Sequence, residues 1–140
     1  MKQVLIIANP KAGKGEPLKK LHEVQNHLQM IGYISEIYFT KNTTDYAGIQ
    51  DAINAFKKPD CLIIIGGDGT LNDVINSIPK DFKTPLIVLP CGSGNDFATY
   101  LYGKKSVPEI LNGLLKNETI FFKVDWVTIL SFHILWIISS

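Results

Sequence analysis

Short β-branched runs alternate along this chain with segments whose apolar residues recur every three or four positions, the pattern of a parallel sheet flanked by helices. Residues 3–8 predict a buried first strand, after which Leu18, Leu21, Val24, Leu28 and Ile31 follow at helical spacing until Gly32 supplies a stop. Residues 34–39 predict a second strand. Residues 42–58 predict a helix with capping-type residues at its start and Ala52, Ile53 and Phe56 on one face. A third strand is expected over 60–65, a short helix over 71–78 and a fourth strand over 85–89. Ser106 then caps a helix carrying Val107, Ile110, Leu111, Leu114 and Leu115, and residues 120–124 predict a fifth strand. The fold class is α/β, a single domain with short connections and no internal repeat.

Composition narrows the function classes. A chain of 140 residues buries about 68–70% of its unfolded surface, so it folds without disulfide or metal staples. With 46% hydrophobic and 19% charged residues it is neither disordered nor fibrous. The formal charge of +1 provides no overall field for a nucleic-acid backbone, so no nucleic-acid partner is expected. Cys61 and Cys91 lie far apart without a CxxC or a nearby His pair, and read as reduced cytoplasmic thiols. The apolar run after Lys2 is too short for a signal peptide, and residues 126–138, broken by Thr128, Ser131 and His133, fall short of the roughly 20 residues of a membrane span. A cytoplasmic protein without a transmembrane segment is expected.

The candidate chemistry lies in the glycines. Seven of the 11 fall into three clusters: Gly13 and Gly15; Gly66, Gly67 and Gly69; Gly92 and Gly94. Each follows a predicted strand, where an open α/β sheet binds ligands and where glycine lets backbone approach a phosphate. The plain alternative for any one cluster is a tight strand-to-helix turn. Gly13-Lys14-Gly15 lacks the flanking residues of a P-loop, and Leu18, Asn72 and Phe97 stand where a dinucleotide fingerprint requires a third Gly or Ala. A hydride-transferring dinucleotide enzyme is therefore disfavoured. There remains a strand that feeds Gly66-Gly67-Asp68-Gly69-Thr70 into a helix start, whose amide groups and dipole suit an anion.

Three segments, Asn9-Pro10-Lys11-Ala12-Gly13-Lys14-Gly15, Gly66-Gly67-Asp68-Gly69-Thr70-Leu71-Asn72-Asp73 and Pro90-Cys91-Gly92-Ser93-Gly94-Asn95-Asp96-Phe97-Ala98, resemble the signatures of the diacylglycerol kinase catalytic domain. That family includes bacterial lipid kinases, sphingosine kinases and ceramide kinases. The resemblance covers residues 1–125 and implies a phosphofructokinase/NAD-kinase-like nucleotide-binding lobe that delivers the γ-phosphate of ATP to a lipid hydroxyl. It implies that Asn9, Pro10, Lys11, Ala12 and Gly13, together with Gly66, Gly67, Asp68, Gly69, Thr70, Leu71, Asn72 and Asp73, hold ATP. Thr40 and Ser93 would add hydroxyl contacts.

Lys11 and Lys14 would lie near phosphates, or be solvated loop lysines. Asp68, at a strand end, would hold magnesium directly or through water, joined by Asp96 and Asp125; Asp125 reads equally well as a surface acid. Asn72 and Asn95 would orient loops or phosphates, or cap helices. Asp96-Phe97-Ala98 would open a further short helix. The family commonly has Thr at the position of Ser93 and Glu at that of Asp73, and the shorter aspartate reaches less far. The Gly-Gly-Asp-Gly element is also found in NAD kinases, so a kinase of another acceptor stands as the alternative, as does a non-catalytic nucleotide-binding module.

The resemblance implies a second, β-rich domain that holds the lipid at the membrane surface and supplies the general base. Residues 126–140 lose the resemblance, and are expected to be an apolar tail from a truncated or frameshifted start of that domain, or else a last element packed on this one. An apolar tail of this kind invites association, which leaves a homodimer open.

Overall fold

A computed structural model describes residues 2–11, 15–41, 44–57, 59–79, 82, 84–89, 106–113, 121–124 and 136–139, the last two segments as backbone. Four strands form a parallel sheet: β1 (Lys2–Ala8), β2 (Tyr33–Phe39), β3 (Cys61–Ile65) and β4 (Leu86–Leu89), in the spatial order β2-β1-β3-β4. Ile6 of β1 stands level with Ile37 of β2 on one side and Ile63 of β3 on the other, and Ile63 stands level with Ile87 of β4.

Among the described residues four helices cover the two faces: α1 (Glu16–Met30), α2 (Tyr46–Phe56), α3 (Asp68–Ser77) and α4 (Val107–Asn112). Val4–Ala8 of β1 and all of β3 are apolar and buried, and because side chains alternate along a strand they feed two cores. Val4, Ile6, Cys61 and Ile63 pack with Leu21, Val24 and Leu28 of α1 and with Ile110 and Leu111 of α4. Leu5, Ile7, Leu62 and Ile64 pack with Ile49 and Ile53 of α2 and with Leu71, Val74 and Ile75 of α3. On the first face His27 Nε2 is hydrogen-bonded to Asn112 Oδ1 at 2.7 Å, which ties α1 to α4.

Local sequence explains most element ends. α1 starts behind Gly15, whose φ of +85° suits glycine, and ends before Gly32 at φ +90°. Ser106 and Glu109 form a reciprocal capping box at the start of α4.

Three expectations need correction. α2 begins at Tyr46 and not at residue 42, because Asp45 is the residue whose carboxylate accepts the Gly48 N–H. α3 begins at Asp68 and not at 71, so the Asp68-Gly69-Thr70 turn is the first turn of the helix. α4 ends at Asn112, and Leu114 and Leu115 lie outside the described residues. The fifth strand is present as β5 (Phe121–Val124), which pairs antiparallel with β6 (Trp136–Ser139) in a separate two-stranded sheet. The short helix expected at Asp96 lies outside the described residues.

Candidate functional site

β1 and β3 are neighbours, yet the chain leaves β1 for α1 on one face and leaves β3 for α3 on the other. The loops therefore diverge above the carboxyl ends of these strands, which opens a crevice there. The Asn9 N–H donates to the Ile65 carbonyl at 3.1 Å and the Thr40 N–H to the Ala8 carbonyl at 2.9 Å. Thr40, Asn9 and Gly66 thus stand side by side at the ends of β2, β1 and β3. The Asn9 side chain shapes its own loop, since Oδ1 accepts the Lys11 N–H at 3.0 Å. Pro10 is half-buried and Lys11 exposed. Thr40 is only 7% exposed.

The three glycines before and within the first turn of α3 have different reasons to be glycine. A Cβ on Gly66 would run into the Thr70 side chain, 2.7 Å from its Cβ, so packing alone excludes any larger residue. A Cβ on Gly67 or Gly69 would meet nothing within 4 Å, and neither residue has a positive φ. A glycine inside a helix costs roughly 0.5–1 kcal/mol relative to alanine, so Gly69 is a stability loss with no internal return. Together these two keep clear ground over the amino end of α3, where amide groups and the helix dipole attract an anion.

Asp68, half-buried, is the first residue of that helix, where an acid also complements the dipole. Thr70 and Leu71 are 5% and 1% exposed, and Leu71 is part of the core beside α2, so each offers a ligand its backbone more than its side chain. Asn72 is no cap: Gly67 holds that position, and the Asn72 carbonyl and Oδ1 lie 2.8 and 3.3 Å from Asn76 Nδ2, which donates to them.

Asp73 faces the loop that follows β2. Its Oδ2 accepts the Thr44 N–H at 3.1 Å. Burial, and then the negative charge of Asp45, push its carboxyl above the ordinary aspartate value, against the pull of that N–H. Asp45 accepts hydrogen bonds from the Tyr38 hydroxyl, the Lys41 N–H and the Gly48 N–H. The Tyr38 bond, the largest cause, and those two N–H groups hold Asp45 below the ordinary value against partial burial. The Tyr38 hydroxyl is in turn pushed up to about 12 by burial and by Asp45. Sequence reasoning passed over Tyr38, Thr44 and Asp45; the spacing of Asp45 to Gly48, a cap and the third residue of its helix, was the available signal.

Ala12, Gly13, Lys14, Ser93, Asn95, Asp96 and Asp125 lie outside the described residues. Asn9 at the end of β1 and Gly66 at the end of β3 are neighbours, while Gly13, Gly92 and Gly94 of the other two glycine clusters lie outside the described residues. Among the described residues no group of three or more His, Cys, Asp or Glu side chains gathers as a metal site, and no helix is long and apolar enough to cross a membrane.

Residues 3–127 match the model of the diacylglycerol kinase catalytic domain. The chain belongs to this family. It is 33% identical over 125 residues to a diacylglycerol kinase of Staphylococcus carnosus, covering 89% of this chain and 40% of that protein. It is 36% identical over 104 residues to a diacylglycerol kinase of Bacillus subtilis, covering 72% of this chain and 33% of that one. A crystal structure of a diacylglycerol kinase from Bacillus anthracis superposes with a TM-score of 0.61 at 28% identity, over 86% of this chain and 44% of its own. The chain thus spans about two fifths of the length of the diacylglycerol kinases it matches, and its α/β lobe is the fold of that family.

Proposed function

We propose that this lobe binds ATP with magnesium across the β1–β3 crevice, and that it serves a kinase which transfers the γ-phosphate to a lipid hydroxyl of the diacylglycerol kind. The observation that carries this reading is the clear ground over Gly67 and Gly69 at the amino end of α3, beside Asn9 and Thr40. A triphosphate is the anion that such a site suits, because it offers oxygens to several backbone donors at once.

The donor set fits a hard cation. Asp68 supplies carboxylate oxygen, and magnesium accepts one or two carboxylates with the remaining ligands from phosphate and water. When bound, the cation would neutralise charge on the phosphates. The residues of this chain would bind and orient. The first turn of α3 would present its amides to the phosphates, and the Asp68 carboxylate would meet the cation. Lys11, exposed on the first loop, would meet a phosphate. Ser93, Asp96 and Asp125 would complete the site from the third bend and from the end of β5.

Transfer forms a bond from the acceptor oxygen to phosphorus and breaks the bond from the γ-phosphorus to the bridging oxygen of ADP, while the acceptor's proton passes to a base. That base is assigned to a second, lipid-holding domain. These 140 residues by themselves are then expected to bind nucleotide and to phosphorylate no lipid. A cytoplasmic protein that meets its substrate at the membrane surface follows from the same reading.

Calorimetric titration with Mg-ATP tests the proposal. Wild type should bind, and Asp68→Ala should weaken binding by about 1–3 kcal/mol, the worth of a hydrogen-bonded charged group. Identical isotherms for the two proteins would remove Asp68 from the site.

A further inference from the structure

We propose that Asp73 is a positioning residue whose carboxylate latches the loop leaving β2 at Thr40 onto α3, and so fixes one wall of the nucleotide crevice relative to the other. This role rests on the nucleotide reading above.

The latch joins two elements 29 residues apart in sequence, through the Thr44 N–H and Asp73 Oδ2 at 3.1 Å. Thr44 sits at φ +64°, a conformation that carries a steric cost for a β-branched residue and persists only where surrounding bonds enforce it. Those bonds are present on both sides of the loop. Asp45 gathers its two ends inward, since it accepts from Lys41 at the start, from Gly48 beyond the end and from the Tyr38 hydroxyl on β2. Asp73 ties the gathered loop outward to α3. Thr40, where the loop begins, is held to β1 by its own N–H, and Asp73 lies within the helix whose first residue is Asp68. A loop held at both places keeps the β2 end of the crevice at a fixed distance from the amino end of α3.

The latch needs an acceptor oxygen and does not need a negative charge. Asp73 is a partly buried carboxylate that feels the like charge of Asp45, so its charge works against its setting. An amide of the same shape supplies the same oxygen to Thr44 without that repulsion. A residue that touched magnesium or phosphate through its charge would behave in the opposite way.

The experiment measures Mg-ATP affinity by calorimetry, and exchange of the residue-44 amide by hydrogen–deuterium NMR, in wild type, Asp73→Asn, Asp73→Ala and Asp73→Leu. Asp73→Ala should lose about tenfold in affinity, the scale of one hydrogen bond, and Asp73→Asn, which keeps the acceptor oxygen, should recover most of that loss. In Asp73→Ala the residue-44 amide should exchange faster. Asp73→Leu, which keeps the side-chain shape without an acceptor oxygen, should lose affinity as Asp73→Ala does, and it replaces that variant if alanine at 73 prevents folding.

Asp73→Asn falling as far as Asp73→Ala would overturn the positioning role in favour of a direct charged contact. Wild-type affinity in Asp73→Ala would overturn the role alone. A wild type that fails to bind Mg-ATP would overturn the nucleotide reading and this role with it.

Discussion

Gly66, Gly67 and Gly69 show how one residue type serves two ends within four positions. Alanine at 66 meets Thr70, so we expect Gly66→Ala to lower stability by about 1–3 kcal/mol, as overpacked sites do. Alanine at 67 has room and an accessible φ, so its effect on urea denaturation should stay within about 0.5 kcal/mol, while Mg-ATP affinity falls because the methyl occupies the phosphate's ground. Gly69→Ala should raise stability by up to about 1 kcal/mol and also weaken the nucleotide. Wild-type affinity in both Gly67→Ala and Gly69→Ala would refute the claim that this ground belongs to a ligand. The sequence displays the cluster but not this division of labour, because the atom that decides it, the Thr70 side chain, arrives through the helical turn and not through any spacing rule.

At the level of elements, hydrophobic periodicity located β1, α1, β2, β3 and β4 to within a residue or two, since each buries a regular stripe. It misplaced the start of α2 because residues 42–45 are all capping types, and only the carboxylate that reaches Gly48 selects Asp45 among them. It misplaced the start of α3 because Gly69 hides a helical turn behind a turn residue. The Thr44–Asp73 bond has no sequence signal, as it depends on α2 and α3 sharing one face of the sheet.

These two acids also set opposite acid responses. The Asp45 carboxyl is lowered by folding, so its stabilisation is present above the ordinary value of 3.8 and is lost as pH falls through its folded value. The Asp73 carboxyl is raised, so its charge opposes folding at neutral pH and that opposition is relieved as pH falls through its raised value. Chemical denaturation at a series of pH values should therefore show Asp45→Asn with a shallower loss of stability below 3.8 than wild type. Asp73→Asn should lack the mild gain that wild type shows on first acidification. Parallel curves for all three proteins would refute the assignment.

For the molecule as a whole, the sheet is a partition: Ile110 packs in the core shared by α1 and α4, and Ile49 in the core shared by α2 and α3. Ile49→Val and Ile110→Val should each cost about 0.5–1.5 kcal/mol. The double variant should equal their sum to within about 0.5 kcal/mol, because no packing partner is shared across the strands. A larger deviation in urea denaturation would mean that strain passes through the sheet.

The central place of β1 bears as well on how the chain is made. Of the four strands β1 leaves the ribosome before the others but is flanked by β2 and β3, and no pairing in this sheet is between hairpin partners. Until Cys61–Ile65 has emerged, the nascent β1 has one naked hydrogen-bonding edge, a state open to chaperone capture during synthesis.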